Sequence, residues 1–154
     1  MRILVLSDSH GAVSNMTRCV ELSQPDAILH LGDCVRDADA LRRQFPAIPM
    51  ETVPGNCDFG STDEPERLIE LGGKRLYLLH GHTRGVKYDL QRAIYAAKEA
   101  GADVLLFGHT HRPLVDYDGT LHVMNPGTCG RGGLITYGIV TISGGAVDCA
   151  TFRL

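Results

Sequence analysis

The sequence predicts a mixed α/β layered fold, and three observations carry that expectation. Short aliphatic runs alternate with segments of helical period through the first half of the chain. Two-residue glycine turns, Gly72-Gly73 and Gly144-Gly145, separate apolar runs in the manner of antiparallel hairpins. The 154 residues, 44% of them hydrophobic, suffice for a single domain, 1–154, with a real core.

The first strand is expected over about Arg2–Asp8, where Ile3 to Leu6 run into Ser7-Asp8-Ser9-His10-Gly11. A helix follows over Val13–Leu22, with Met16, Cys19 and Val20 on its apolar face. Pro25-Asp26 breaks it, and Ala27–Leu31 reads as a second buried strand closing in Gly32-Asp33-Cys34. A second helix is anchored by Leu41 and Phe45 and ends at Pro46. A third strand, Pro49–Val53, closes in Pro54-Gly55-Asn56-Cys57-Asp58. This alternation predicts parallel pairing through crossover helices. A hairpin then joins Leu68–Leu71 to Arg75–Leu79, closing in His80-Gly81-His82. Tyr88–Ala100 is the third helix, stopped by Gly101. Asp103–Phe107 is a buried strand closed by Gly108-His109-Thr110-His111. Leu114–Tyr117 and Leu121–Met124 flank an Asp118-Gly119 turn, and Gly133–Phe152 forms the last hairpin. The expected sheet is parallel early and antiparallel late.

A net charge of −3 and 21% charged residues do not favour nucleic acid as a partner, except as a small nucleotide substrate. The apolar run at Ile3–Leu6 is too short for a signal peptide, and no stretch approaches the ~20 apolar residues of a membrane span. Five scattered cysteines, Cys19, Cys34, Cys57, Cys129 and Cys149, contain no C-x-x-C. They argue against a disulfide framework or a cysteine-rich zinc site and predict a cytoplasmic protein.

The chemistry gathers at the strand ends. Asp8 and His10, Asp33, Asn56, His80, and His109 with His111 each follow a predicted strand, in turns that also hold Gly11, Gly32, Gly55, Gly81 and Gly108. In an extended segment Asp8 and His10 would point to one side. Taken singly, each has a plainer reading: Asp33 as a helix cap, Asn56 as turn chemistry, Asp8 and His10 as a cap and a surface turn. Together, carboxylate, amide oxygen and imidazole donors suit divalent ions of intermediate hardness, such as Mn²⁺, Fe²⁺, Ni²⁺ or Zn²⁺. Seven donors are too many for one tetrahedral ion and suit two ions sharing a carboxylate.

Asp8-Ser9-His10, Gly32-Asp33, Gly55-Asn56-Cys57-Asp58, His80-Gly81-His82 and Gly108-His109-Thr110-His111 resemble, in order, the motifs of calcineurin-like metallophosphoesterases. The chain looks like the small YfcE-like phosphodiesterase branch. The resemblance implies a two-sheet mixed β sandwich flanked by helices. It implies a metal-dependent hydrolase acting on small phosphate esters through a metal-activated hydroxide. It places Asp8, His10 and His111 on one ion, Asn56, His80 and His109 on the other, and Asp33 between them, with Mn²⁺ the first ion implied. Asn56, Cys57 and Asp58 join Asp33 in the catalytic group. His82 stands beside the site, and Arg131, after an Asn125-Pro126-Gly127 segment, is a candidate phosphate contact. Larger relatives have histidine where Cys57 stands. Loss of that imidazole predicts a preference for good leaving groups, and a cysteine near two cations is open to thiolate formation. Small relatives often associate, so a homo-oligomer is also expected. A contrasting reading comes from the retromer, one subunit of which uses this fold as a non-catalytic scaffold. His30 and His122, inside strands, read as satisfied structural histidines, and Arg84 and Arg112, which flank ligand motifs, as solvated side chains.

Overall fold

A computed structural model describes residues 1–154. It has two mixed five-stranded sheets flanked by three helices, as expected. The first sheet contains β1 (Arg2–Leu6), β2 (Ala27–His30), β3 (Met50–Thr52), β9 (Thr136–Ser143) and β10 (Ala146–Arg153), in the order β10-β9-β1-β2-β3. The second contains β4 (Glu66–Leu71), β5 (Lys74–Leu79), β6 (Val104–Phe107), β7 (Leu114–Tyr117) and β8 (His122–Asn125), in the order β4-β5-β6-β8-β7. The helices are α1 (Val13–Ser23), α2 (Val35–Gln44) and α3 (Gln91–Glu99).

The alternation of strand side chains builds the layers. Ile3 and Val5 of β1 and Leu29 of β2 face Leu76, Leu78, Val104, Leu106 and Met124 of the second sheet in one fully buried cluster. Leu4, Leu6 and Ile28 point the other way, onto Met16, Cys19 and Val20 of α1 and Leu41 of α2. On the outer face of the second sheet, Leu79, Leu105, Phe107 and Val123 meet Ala93 and Ala97 of α3. The order is helix, sheet, sheet, helix.

Three expectations change. The late half is not simply antiparallel: β5, β6 and β8 run parallel, and the hairpin partners β4 and β7 only edge them. The cause is α3, which crosses from β5 to β6 just as α1 crosses from β1 to β2. That helix starts at Gln91 rather than Tyr88, where the Asp89 carboxylate accepts the Gln91 N–H at 2.9 Å. A 3₁₀ turn at His82–Arg84 precedes it. The first strand stops at Leu6, and Asp8 and His10 have φ of 55° and 44°, so the extended geometry expected for them does not occur.

The parallel strands of both sheets point their carboxyl ends to one edge of the sandwich, where open α/β sheets place ligands. No helix is long and apolar enough to cross a membrane.

Candidate metal centre

Asp8 and His10 follow β1, Asp33 follows β2, Asn56 lies beyond β3, His80 follows β5, and His109 and His111 follow β6. The fold brings all seven together. His111 Nε2 lies 3.0 Å from Asp8 Oδ1, and His10 Nε2 lies 3.8 Å from Asp33 Oδ2. On the other side His80 Nε2 is 3.5 Å from Asp33 Oδ1, 3.1 Å from Asn56 Oδ1 and 3.1 Å from His109 Nδ1. Asp8, His10 and His111 form one group that could hold a metal ion, and Asp8, Asp33 and His80 form a second.

The backbone that presents them is strained. Seven non-glycine residues have positive φ; six of them are Asp8, His10, Asp33, Cys34, His109 and His111, and the seventh is the helix cap Gln24. Such conformations cost of order 1 kcal/mol or more each and persist where surrounding bonds over-determine them. Those bonds are present. Ser7 Oγ donates to Asp8 Oδ2 at 2.6 Å, and the His109 N–H reaches the same oxygen at 3.0 Å. Thr128 Oγ1 donates to the Asp8 carbonyl at 2.8 Å, and Asn125 Nδ2 to the Gly108 carbonyl at 2.8 Å. Gly108 is needed for the close approach: a Cβ there would land on Ser7 Oγ and stand 2.9 Å from Asp8 Oδ2. Gly55 is needed for the same reason, since its Cβ would fall on the Asp33 carboxylate.

The donor set fits a cation. Asp8 is fully buried, yet its Oδ1 accepts no hydrogen bond, although His111 Nε2 lies 3.0 Å away. An unpaired buried carboxylate oxygen is costly unless something positive meets it. His80 is equally buried, and its Nδ1 donates to the Leu31 carbonyl at 2.8 Å. That bond orients the ring so that Nε2 faces the amide oxygen of Asn56. An imidazole nitrogen and an amide oxygen 3.1 Å apart are both of the donor types that ligate divalent ions.

The protonation states agree with this. Burial, then His80 and Lys87, push His109 down to about 4, so its ring is neutral at neutral pH. Burial raises the Asp33 carboxyl, but the Cys57 N–H and the His80 and His10 rings outweigh it and hold the group below its ordinary value. The Cys57 thiol is pushed up to about 11, by desolvation first and then by Asp33, so the protein frame favours the thiol over the thiolate. Asp58 accepts the Val35 and Gly55 N–H groups, both at 2.8 Å, and so ties two ligand loops together. Asp33 is not a cap for α2; its Oδ1 accepts the Cys57 N–H at 2.8 Å. His82 stands beside the cluster, its ring 5.5 Å from that of His80. Arg84 is not a solvated side chain: it holds Glu66 with two bonds of 2.7 Å, which fastens the His82 turn to β4.

His30 departs from expectation as well. It is fully buried, its Nε2 meets Ser9 Oγ at 3.2 Å, and its Nδ1 has no partner. Ser9 Oγ and the Gly11 N–H in turn bond Asp37 Oδ2 at 2.8 and 2.7 Å. Burial pushes His30 down to about 4, against the pull of the Asp8, Asp58 and Asp37 carboxylates. Its folded value lies below the unfolded one, so the unfolded chain binds the extra proton and stability falls as pH drops from about 6.5 toward 4. His30→Gln is expected to remove up to about 3 kcal/mol of that acid loss in the metal-free protein. Urea melts at pH 7 and pH 4.5 check this; equal losses in both proteins would refute the assignment.

Residues 1–145 match the calcineurin-like phosphoesterase superfamily domain. The chain belongs to that family. It is 36% identical to the probable metallophosphoesterase YsnB of Bacillus subtilis over 114 residues, 72% of this chain but only 64% of YsnB, so it spans less than two thirds of that relative. It is 29% identical to the phosphodiesterase YfcE of Escherichia coli over 153 residues, covering 83% of this chain and 79% of YfcE. Among solved structures, a predicted phosphoesterase from Streptococcus pneumoniae superposes with a TM-score of 0.81 at 28% identity, covering 99% of this chain and 88% of the other. Vps29 from Entamoeba histolytica, complexed with Zn²⁺, superposes with a TM-score of 0.78 at 19% identity over 99% of both chains, a likeness of fold.

Sequence reasoning gives no bracing role to Ser7, Asp37, Asn125 or Thr128, although it places the Asn125-Pro126-Gly127 segment near the site; all four brace the ligand turns. None lies in the chemical pattern of the ligands, and only the placed fold connects them to it.

Proposed function

We propose that the protein is a two-metal phosphodiesterase acting on small phosphate esters. The observation that carries this reading is the convergence of seven donors around the buried Asp8 Oδ1, which has no hydrogen-bond partner. In this reading Asp8, His10 and His111 hold one divalent ion, Asn56, His80 and His109 hold the other, and Asp33 lies between the two. Mn²⁺ is the first candidate. When bound, the ions supply Lewis-acid charge and an activated water for attack on phosphorus.

The chain's own residues do the rest. Asp33 is held ionised by the Cys57 N–H and its imidazole neighbours, so it offers both oxygens to cations. The Leu31 carbonyl accepts from His80 Nδ1 and so turns Nε2 toward the ion side. Asn56 offers its amide oxygen to the ion side, with its Nδ2 3.5 Å from Cys57 Sγ. Asp58 holds the Asn56 loop against the loop that follows Asp33.

The deciding experiment reloads metal-free protein with single divalent ions and assays an aryl diester, an aryl monoester and a cyclic nucleotide. Diester turnover with Mn²⁺ ahead of the other ions is expected. Absence of turnover with every ion would sink the reading and leave the alternative of a non-catalytic scaffold.

Cys57 gives a second expectation. The thiol is pushed up to about 11 in the metal-free chain and opens to thiolate beside two cations, and in that form it is a poor proton donor to an alkoxide leaving group. Turnover across a series of aryl and alkyl esters therefore falls steeply as the leaving-group pKa rises. Cys57→His should flatten that slope; a wild-type rate independent of leaving group would contradict the account.

A further inference from the structure

A cleft of about 370 Å³ lies beside the Asp8–His10–His111 group, and its lining brings His10 and His111 together with Arg112, Thr128 and Arg131. Both arginines are exposed. Arg42, Arg67 and Arg84 are tied to carboxylates, whereas neither Arg112 nor Arg131 has an acidic group within ion-pair distance.

Their roots are fixed. Arg112 follows His111 directly, and its N–H reaches Thr110 Oγ1 at 3.3 Å, a hydroxyl that Asn125 Nδ2 holds at 3.1 Å. Arg131 follows Gly130, whose N–H bonds Thr128 Oγ1 at 3.0 Å; that hydroxyl donates to the Asp8 carbonyl at 2.8 Å. The Cys129 N–H adds a bond of 3.1 Å to the Ser7 carbonyl. A Cβ on Gly130 would stand 2.7 Å from the Asp8 carbonyl, so this segment lies directly on the turn that carries the first ligands. Each guanidinium is thus one residue away from a backbone point that is bonded into the centre.

The charge balance says what they meet. In the two-ion reading, the cations less the Asp8 and Asp33 carboxylates already offset the single negative charge of a phosphodiester. Two further guanidinium groups are surplus to that charge. Their planar forks match phosphate oxygens. The cleft also has room for a spacer of sugar size as well as the phosphate.

We propose that the Arg112–Arg131 cleft is a subsite for a second phosphoryl group, which makes the preferred substrate a nucleotide-sized phosphodiester bearing another phosphate. This rests on the phosphodiesterase reading and narrows its substrate class. The covalent step is unchanged: water adds to the scissile phosphorus, the ester P–O bond breaks, and the second phosphate is bound but not transferred.

The test uses a matched pair on the Mn²⁺-loaded protein, thymidine 5′-(p-nitrophenyl phosphate) with and without a 3′-phosphate. The 3′-phosphate is expected to lower KM about tenfold. Arg112→Gln and Arg131→Gln should each erode that advantage, and the double variant should abolish it. Equilibrium binding of thymidine 3′,5′-bisphosphate against thymidine 5′-monophosphate gives a readout that does not need turnover. If both esters are turned over without discrimination, or the double variant keeps the advantage, the subsite is overturned. If neither ester is turned over, the hydrolase reading fails on its own, and the binding pair decides: bisphosphate preference lost in the double variant upholds the subsite, and equal or absent binding overturns it.

Discussion

Replacing Asp33 by Asn is expected to lower diester turnover by ~10³-fold or more and to reduce the bound metal below two ions per chain. The substitution is isosteric. The amide keeps an oxygen for the Cys57 N–H, which Asp33 now accepts at 2.8 Å, so the loop geometry survives. The negative charge between the two donor groups is lost. His10 faces one Asp33 oxygen and His80 the other, so a single carboxylate serves both halves of the cluster. Loss of it therefore weakens both ions together, whereas a change at His10 or His109 acts first on one. Steady-state kinetics with metal analysis on the same preparation checks this. Near-normal turnover in the variant would remove Asp33 from the bridging role.

The second large effect is on stability. The centre buries the Asp8 and Asp33 carboxylates beside a fully buried His80, and Asp8 Oδ1 has no hydrogen-bond donor. Leaving such an oxygen bare costs about 1–3 kcal/mol. An ion that meets it binds only the folded chain. At a free concentration 1,000 times its dissociation constant, each ion adds about 4 kcal/mol. For a chain of this size that raises Tm by roughly 10 °C per ion. Thermal unfolding in Mn²⁺ and in chelator, for the wild type and for Asp8→Asn, reads this directly. The wild-type shift should be large and the variant's much smaller. Equal Tm values with and without metal would mean that the buried carboxylates are satisfied by the protein alone.

These expectations rest on residues of two kinds, and only one kind was legible in the sequence. The seven donors could be found because ligand chemistry restricts the residue type and strand-end turns repeat the same placement. The layers on either side of the first sheet were legible for a similar reason: alternate residues of β1 and β2 are apolar on both faces. The bracing residues were hidden. Thr128 reaches the Asp8 carbonyl across 120 residues of chain, and a lone threonine in a turn carries no mark of that. The left-handed turns at Asp8, His10, His109 and His111 were equally hidden, because the long-range bonds that hold them are tertiary. His30 looked like a satisfied core histidine, and its unpaired Nδ1 appears only once the helix face of β2 is packed. The parallel centre of the second sheet was masked by two hairpins whose turn signals are stronger than the crossover between them.

The central claim is that one carboxylate joins two ion positions. The measurement that tests it most directly is anomalous diffraction from crystals of the Mn²⁺-loaded protein. Two peaks roughly 3.5–4 Å apart are expected, with Asp33 touching both. Asp8, His10 and His111 should surround one peak, and Asn56, His80 and His109 the other. A single peak at full occupancy, or two peaks without Asp33 between them, would contradict the account.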